Sequence, residues 1–208
     1  MIEKFVNKLM KKIEAKNPNM DQKKRDSIWF GLMILFDEVP KTILMVLITY
    51  YFGLLKYTLI SFISIGLYRA FSGGFHLKTT IACFTLSMLM FVGTPILAGQ
   101  VQWENNSIKY IILALMWIFN MIMITKYAPA DTENVPIINL QQRKKQKIIS
   151  FITMNIVFIV GLIIKDNTIS NTLIFGTFIQ SFNISRLAYF IFNNKYGHET
   201  YEKQASMA

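Results

Sequence analysis

The stretch TTIACFTLSMLMFVGTPILAGQV, Thr79–Val101, runs for 23 residues without a charged side chain. A bilayer's hydrocarbon core takes about 20 predominantly apolar residues of α-helix to cross. This segment therefore reads as a membrane span, and what flanks it sets the rest of the fold. Upstream lies a glycine break, Gly73-Gly74, with His76 just beyond it; inside the span's first residues lies Cys83, the chain's only cysteine.

Working outward, further apolar segments run over Val39–Leu55, Tyr57–Phe71, Ile108–Thr125, Ile148–Ile164 and Ile169–Phe192. A shorter one, Ile28–Phe36, stops at Asp37-Glu38 and reads as an interfacial lead-in. Tyr57–Phe71 is short enough to be re-entrant. The expected fold is all-α: a polytopic membrane protein with about six transmembrane helices behind an amphipathic N-terminal helix. Composition agrees, since 53% of the 208 residues are hydrophobic and only 16% are charged, where a soluble domain carries about a quarter charged.

Residues 1–16, MIEKFVNKLMKKIEAK, space Ile2, Phe5, Val6, Leu9, Met10 and Ile13 by threes and fours. One apolar stripe follows, with Lys4, Lys8, Lys11 and Lys12 on the remaining surface. Such a helix suits the headgroup plane of an anionic inner leaflet; packing on the protein's own cytosolic surface is the alternative. Asn17-Pro18-Asn19 ends it, and it is too charged for a cleavable signal peptide. The expected organisation is a basic segment over 1–25, a membrane catalytic domain over 26–192 and a polar tail over 193–208.

The net charge of +10 reads as membrane orientation rather than nucleic-acid binding, for which no soluble domain is long enough. Eight Lys or Arg fall in the first 25 residues, and five in the 126–147 connection. The connections at 102–107 and 165–168 hold none and one. The positive-inside rule puts the basic regions in the cytoplasm, and four spans between them keep the count even. Both termini and the loop at 72–78 are then cytoplasmic.

A thiol and an imidazole are the parts of a nucleophile and its base. In a continuous helix, seven residues would hold Cys83 and His76 about 10 Å apart along the axis. Gly73 and Gly74 permit a turn, and Thr79 or Thr80 is a good N-cap. His76 is thus expected on a turn and Cys83 in the first turn of the next helix, where the dipole favours thiolate. Amides near Gly74 or Cys83, or the Arg69 guanidinium, are candidate oxyanion donors. Ser72 is a poorer nucleophile because no second base is near. In KYAPADTENVPI, Lys126–Ile137, prolines bracket a polar turn whose Asp131 or Glu133 can orient the imidazole. One cysteine excludes an internal disulfide, and one cysteine with two histidines argues against a zinc site; no cofactor is expected. A second class of function, a small transporter or channel subunit, would use Asp37, Glu38, Lys41 and Arg186 as path-lining groups.

Arg69-x-x-Ser72-Gly73-Gly74-x-His76, then Cys83, then Lys126-Tyr-Ala-Pro129 through Pro136 resembles the accessory gene regulator B (AgrB) family, as do the length, basic N-terminus and span pattern. The resemblance implies a membrane cysteine endopeptidase (a thiol protease) of quorum sensing. It implies removal of the C-terminal tail of an AgrD-like propeptide and closure of the remainder into a thiolactone or lactone autoinducing peptide. His76 and Cys83 align with the family's catalytic pair, and association as a homodimer is implied as well.

Overall fold

The computed structural model describes residues 2–18, 20–77, 79–103, 105–133 and 135–207; Asn19, Lys78 and Asn134, which fall within the turns read above, lie outside them. The described residues are mostly α-helical and fall into two compact units, Met1–Phe52 and Gly53–Ala208.

The first unit holds α1 (Ile2–Lys16) and α2 (Gln22–Tyr51). Within it α1 packs on α2: Phe5 meets Phe36 edge to face at 5.0 Å, Trp29 Nε1 donates to Asn7 Oδ1 at 2.7 Å, and Arg25 pairs with Glu14 at 2.6 Å. Val6 and Met10, from the apolar stripe, are buried. The expected lead-in and first span are one helix of 30 residues. Pro40 removes a single bond from that ladder, and the charges expected to interrupt it satisfy each other: Lys41 Nζ donates to Asp37 at 2.5 Å and to Glu38 at 3.1 Å.

The second unit contains α3 (Leu55–Ser72), α4 (Thr80–Gln100), α5 (Asn106–Tyr127), α6 (Leu140–Ile163), α7 (Asn167–Asn183), α8 (Arg186–Ile191) and α9 (Gly197–Met207). Helix starts follow local capping chemistry: Thr79, Asn105, Asn139, Asp166 and Ser185 each accept an amide of the following turn. Among the described residues three helices, α4, α5 and α6, are long and apolar enough to cross a membrane.

α7 is the hub, packed against α3, α4, α5 and α6. It buries Ser170, Asn171, Thr177, Gln180, Ser181 and Asn183, which is affordable only because these groups find partners inside. Asn171 bonds the carbonyls of Ala98 and Val101 and accepts from Trp103; Tyr68 Oη meets Ser181 at 3.0 Å. The expected last span is broken: α7 ends at Asn183, and Ser185 starts α8 by capping the Ala188 amide at 3.2 Å. The expected polar tail also carries structure, since α9 begins five residues beyond the end of the last apolar segment.

Candidate active site

α3 ends at Ser72, and the chain leaves it through two glycines with positive φ, +72° at Gly73 and +140° at Gly74. Gly73 forms a parallel bridge with Ala130. Gly74 N–H donates to the Ala130 carbonyl at 2.8 Å, and Ala130 N–H donates to the Ser72 carbonyl at 2.8 Å. A methyl at Gly73 would overlap that carbonyl, so glycine is required here for close approach as much as for its dihedrals. The two polar segments singled out in the sequence are therefore one structure, joined backbone to backbone.

The turn is braced from both sides. Gln180, wholly buried on α7, donates through Nε2 to Ser72 Oγ at 2.9 Å and to the Gly73 carbonyl at 2.8 Å. Asn183 Nδ2 in turn donates to Gln180 Oε1 at 3.3 Å. Arg69 Nη2 donates to the Phe75 carbonyl at 2.7 Å. Phe75 is buried, stacked on Phe192 at 4.3 Å and edge-on to Tyr189 at 6.3 Å.

From this anchored turn residues 75–77 run on as non-helical chain, and His76 is exposed between buried Phe75 and half-buried Leu77. Thr79 then caps α4, its side chain accepting from Ala82 N at 3.3 Å, and Cys83 N–H makes the helix's first backbone bond, to Thr79 O at 3.0 Å. Cys83 is partly exposed. The structure thus gives the expected arrangement: a non-helical link carrying His76, and Cys83 in the first turn of a capped helix. The amides of Gly73, Gly74 and Cys83 are already bonded, to Arg69, Ala130 and Thr79 carbonyls. Those of Thr80 and Ile81 lie in the first turn of α4, where a helix offers its amides no intrahelical acceptor.

Asp131 engages the other histidine. Its carboxylate is fully buried; Oδ1 lies 2.6 Å from His198 Nδ1, while Oδ2 accepts the amides of Ile137 at 2.8 Å and His198 at 2.9 Å. Arg143 Nη1 is 3.4 Å from Oδ2. Glu133 is exposed and faces Lys195 at 3.5 Å. Nearby, Tyr196 stacks on Tyr189 at 4.1 Å and donates to the Ile184 carbonyl at 2.8 Å. Burial, helped by neighbouring Tyr127, pushes its phenol well above the usual range, so it stays a neutral donor. The path-lining groups of the transporter reading pair locally instead: Asp37, Glu38 and Lys41 with one another, and Arg186 with Glu199 at 2.5 Å.

Gln180, Ala130 and His198 were not singled out as site residues from the sequence. Gln180 carried a signal, a long amide within an apolar segment, which in a bundle has to find a buried partner. Ala130 carried none.

A family model for accessory gene regulator B matches residues 2–184. A putative AgrB-like protein of Clostridium acetobutylicum is 30% identical over 166 residues, covering 80% of this chain and 77% of that protein. One from Listeria monocytogenes serotype 4a is 30% identical over 174 residues, 83% of each. Accessory gene regulator protein B of Staphylococcus aureus strain Newman is 28% identical over 151 residues, 73% of this chain and 77% of that one. No solved structure matches the chain.

Proposed function

The chain belongs to the accessory gene regulator B family, and from the glycine-turn site we propose that it is a membrane-embedded cysteine endopeptidase that processes a quorum-sensing propeptide. The observation that carries this reading is the position of the unique thiol. Cys83 opens a capped helix directly after the braced link that holds His76.

In the proposed reaction His76 takes the Cys83 proton, and the thiolate attacks the scissile carbonyl. The C–N bond breaks, and the imidazolium returns its proton to the leaving amine of the tail. A thioester to Cys83 remains. A thiol within the propeptide, its proton taken by His76, then attacks that thioester; Cys83 leaves as thiolate beside the imidazolium, and the ring closes as a thiolactone; a hydroxyl would close a lactone. Amide to thioester is uphill, so removal of the tail drives the sequence. Water has to be kept out, or hydrolysis wins. An apolar setting at the membrane serves that end, and a propeptide lying on the same bilayer arrives at raised local concentration.

The proposed topology has six spans, with α2, α3 and the α7–α8 pair joining α4, α5 and α6. The basic 126–147 connection and the glycine turn then face the cytoplasm, and α1 rests against anionic lipid. The test is mass spectrometry of Cys83 after mixing the protein, in proteoliposomes, with an AgrD-like propeptide. An acyl adduct on Cys83 that disappears with His76→Ala is expected; tail release by Cys83→Ala protein at the wild-type rate would overturn the reading.

A further inference from the structure

α9 has a task beyond the family match, which ends at residue 184. His198, its second residue, donates its own amide to Asp131 Oδ2 at 2.9 Å and brings Nδ1 to 2.6 Å from Oδ1. Its other ring nitrogen, Nε2, lies 3.3 Å from Arg143 Nη2. Arginine only donates, so Nε2 is the acceptor and the proton sits on Nδ1, facing the carboxylate. Held between guanidinium and carboxylate, the ring has both of its nitrogens engaged. His198 is therefore built to hold, not to react.

What it holds is the residue next to Ala130. Asp131 is pinned at both ends: its carboxylate by His198, Arg143 and the Ile137 amide, its carbonyl by Tyr189 Oη at 3.0 Å. Ala130, one residue back, makes the two backbone bonds that shape the Gly73–Gly74 turn. Gly197 closes the approach from the other side, since a methyl there would overlap the Thr132 carbonyl.

Resting on the cysteine-peptidase reading, we propose that His198 is a positioning residue for the reacting pair. From α9 it clamps the Asp131 carboxylate, fixes Ala130, and so sets the turn that presents His76 to Cys83. Its removal leaves a buried carboxylate short of a donor and lets the 130–137 segment shift. A misplacement of about 1 Å costs up to ~100-fold in a reaction that depends on alignment.

The test uses full-length protein in proteoliposomes and iodoacetamide as the probe, because Cys83 is the only thiol and its alkylation reports thiolate without needing the propeptide. At fixed pH, His76→Ala slows alkylation by about tenfold, as loss of the activating base requires. His198→Ala slows it by about 3- to 10-fold. His198→Asn, whose amide nitrogen stands where Nδ1 stood, restores it to within about twofold. The double variant His76→Ala/His198→Ala is no slower than His76→Ala alone, since the clamp acts through His76. If His198→Ala does not accumulate in the membrane, His198→Gln, which fills the volume but reaches past Oδ1, takes its place. A wild-type rate in His198→Ala while His76→Ala is slow overturns the clamp and spares the peptidase reading. So does an Asn variant as slow as Ala, or additive losses in the double variant. A wild-type rate in His76→Ala overturns both.

Discussion

Replacing Gly73 by alanine tests the junction on which the site is built. Gly73 sits at φ +72°, and a β-carbon there would overlap the Ala130 carbonyl. Holding a non-glycine residue in so sparse a region costs about 1–3 kcal/mol. Moving Ala130 away to make room gives up the Gly74–Ala130 and Ala130–Ser72 bonds, each worth about 0.5–1.5 kcal/mol net. The native turn is thereby disfavoured by about 2–6 kcal/mol, or roughly 30-fold to more than ten-thousand-fold in the population of the competent arrangement. The assay is the rate of tail release in proteoliposomes, with two glycine controls from the same region of chain. Gly74→Ala brings its methyl to 3.0 Å from Arg69 Nη1 and 3.6 Å from Gln180 Nε2, side chains that brace the turn, so it carries the dihedral penalty and presses on the braces without the backbone clash. Gly66→Ala meets nothing within 4 Å inside α3 and gains up to about 1 kcal/mol of helix propensity. The expected order of activity is Gly66→Ala at wild-type level, Gly74→Ala reduced and Gly73→Ala lowest. A Gly73→Ala protein as active as Gly66→Ala would refute the reasoning.

Three further outcomes follow from the same geometry. Cys83→Ala and His76→Ala should each abolish propeptide cleavage while still inserting in the membrane, measured by tail release and membrane fractionation; cleavage above a trace in Cys83→Ala removes the mechanism. Gln180→Met keeps the volume but leaves the buried Gly73 carbonyl and Ser72 hydroxyl without their donor, a loss of about 1–3 kcal/mol; cleavage should fall by roughly 5- to 100-fold, and an unchanged rate means the brace does not matter. Replacing Lys4, Lys8, Lys11 and Lys12 by Gln removes about 1 kcal/mol of attraction to an anionic surface per lysine; processing should slow at limiting propeptide and recover when propeptide is raised, whereas a maximal rate that cannot be rescued would make α1 part of the catalytic core.

What the sequence made legible was local. Apolar runs of span length located α4, α5 and α6, and α4 starts where Thr79 offers a capping oxygen, whereas α6 starts at Leu140, well ahead of its apolar run. The Gly-Gly break and the Thr79 cap placed His76 and Cys83 on their respective sides of a helix start for the same reason. Two local rules misled. Asp37-Glu38 looked like an interruption because charge was counted residue by residue, yet Lys41 one turn on pairs with both carboxylates within a continuous α2. Ile169–Phe192 looked like a single span because apolar content outweighed the capping signal of Ser185, which begins α8 two residues after α7 ends.

Partnerships across the chain had no such local signature. Ala130 is 57 residues from Gly73, and its part is played by its backbone, to which residue type is nearly blind. Asp131 was weighed as a partner for His76 because both lay in predicted cytoplasmic turns, but layer alone does not choose between two histidines. The choice falls to α9, a segment whose polar composition gave no reason to fold by itself. Its first turn finds an acceptor for the His198 amide and for the ring in one buried carboxylate. A helix of 11 residues is marginal alone in water; with both bonds anchored at its start, it takes its order from the turn it secures. Asp131, weighed with Glu133 as a partner for the His76 imidazole, thus holds His198 through its carboxylate and is tied to the glycine turn through the backbone of Ala130.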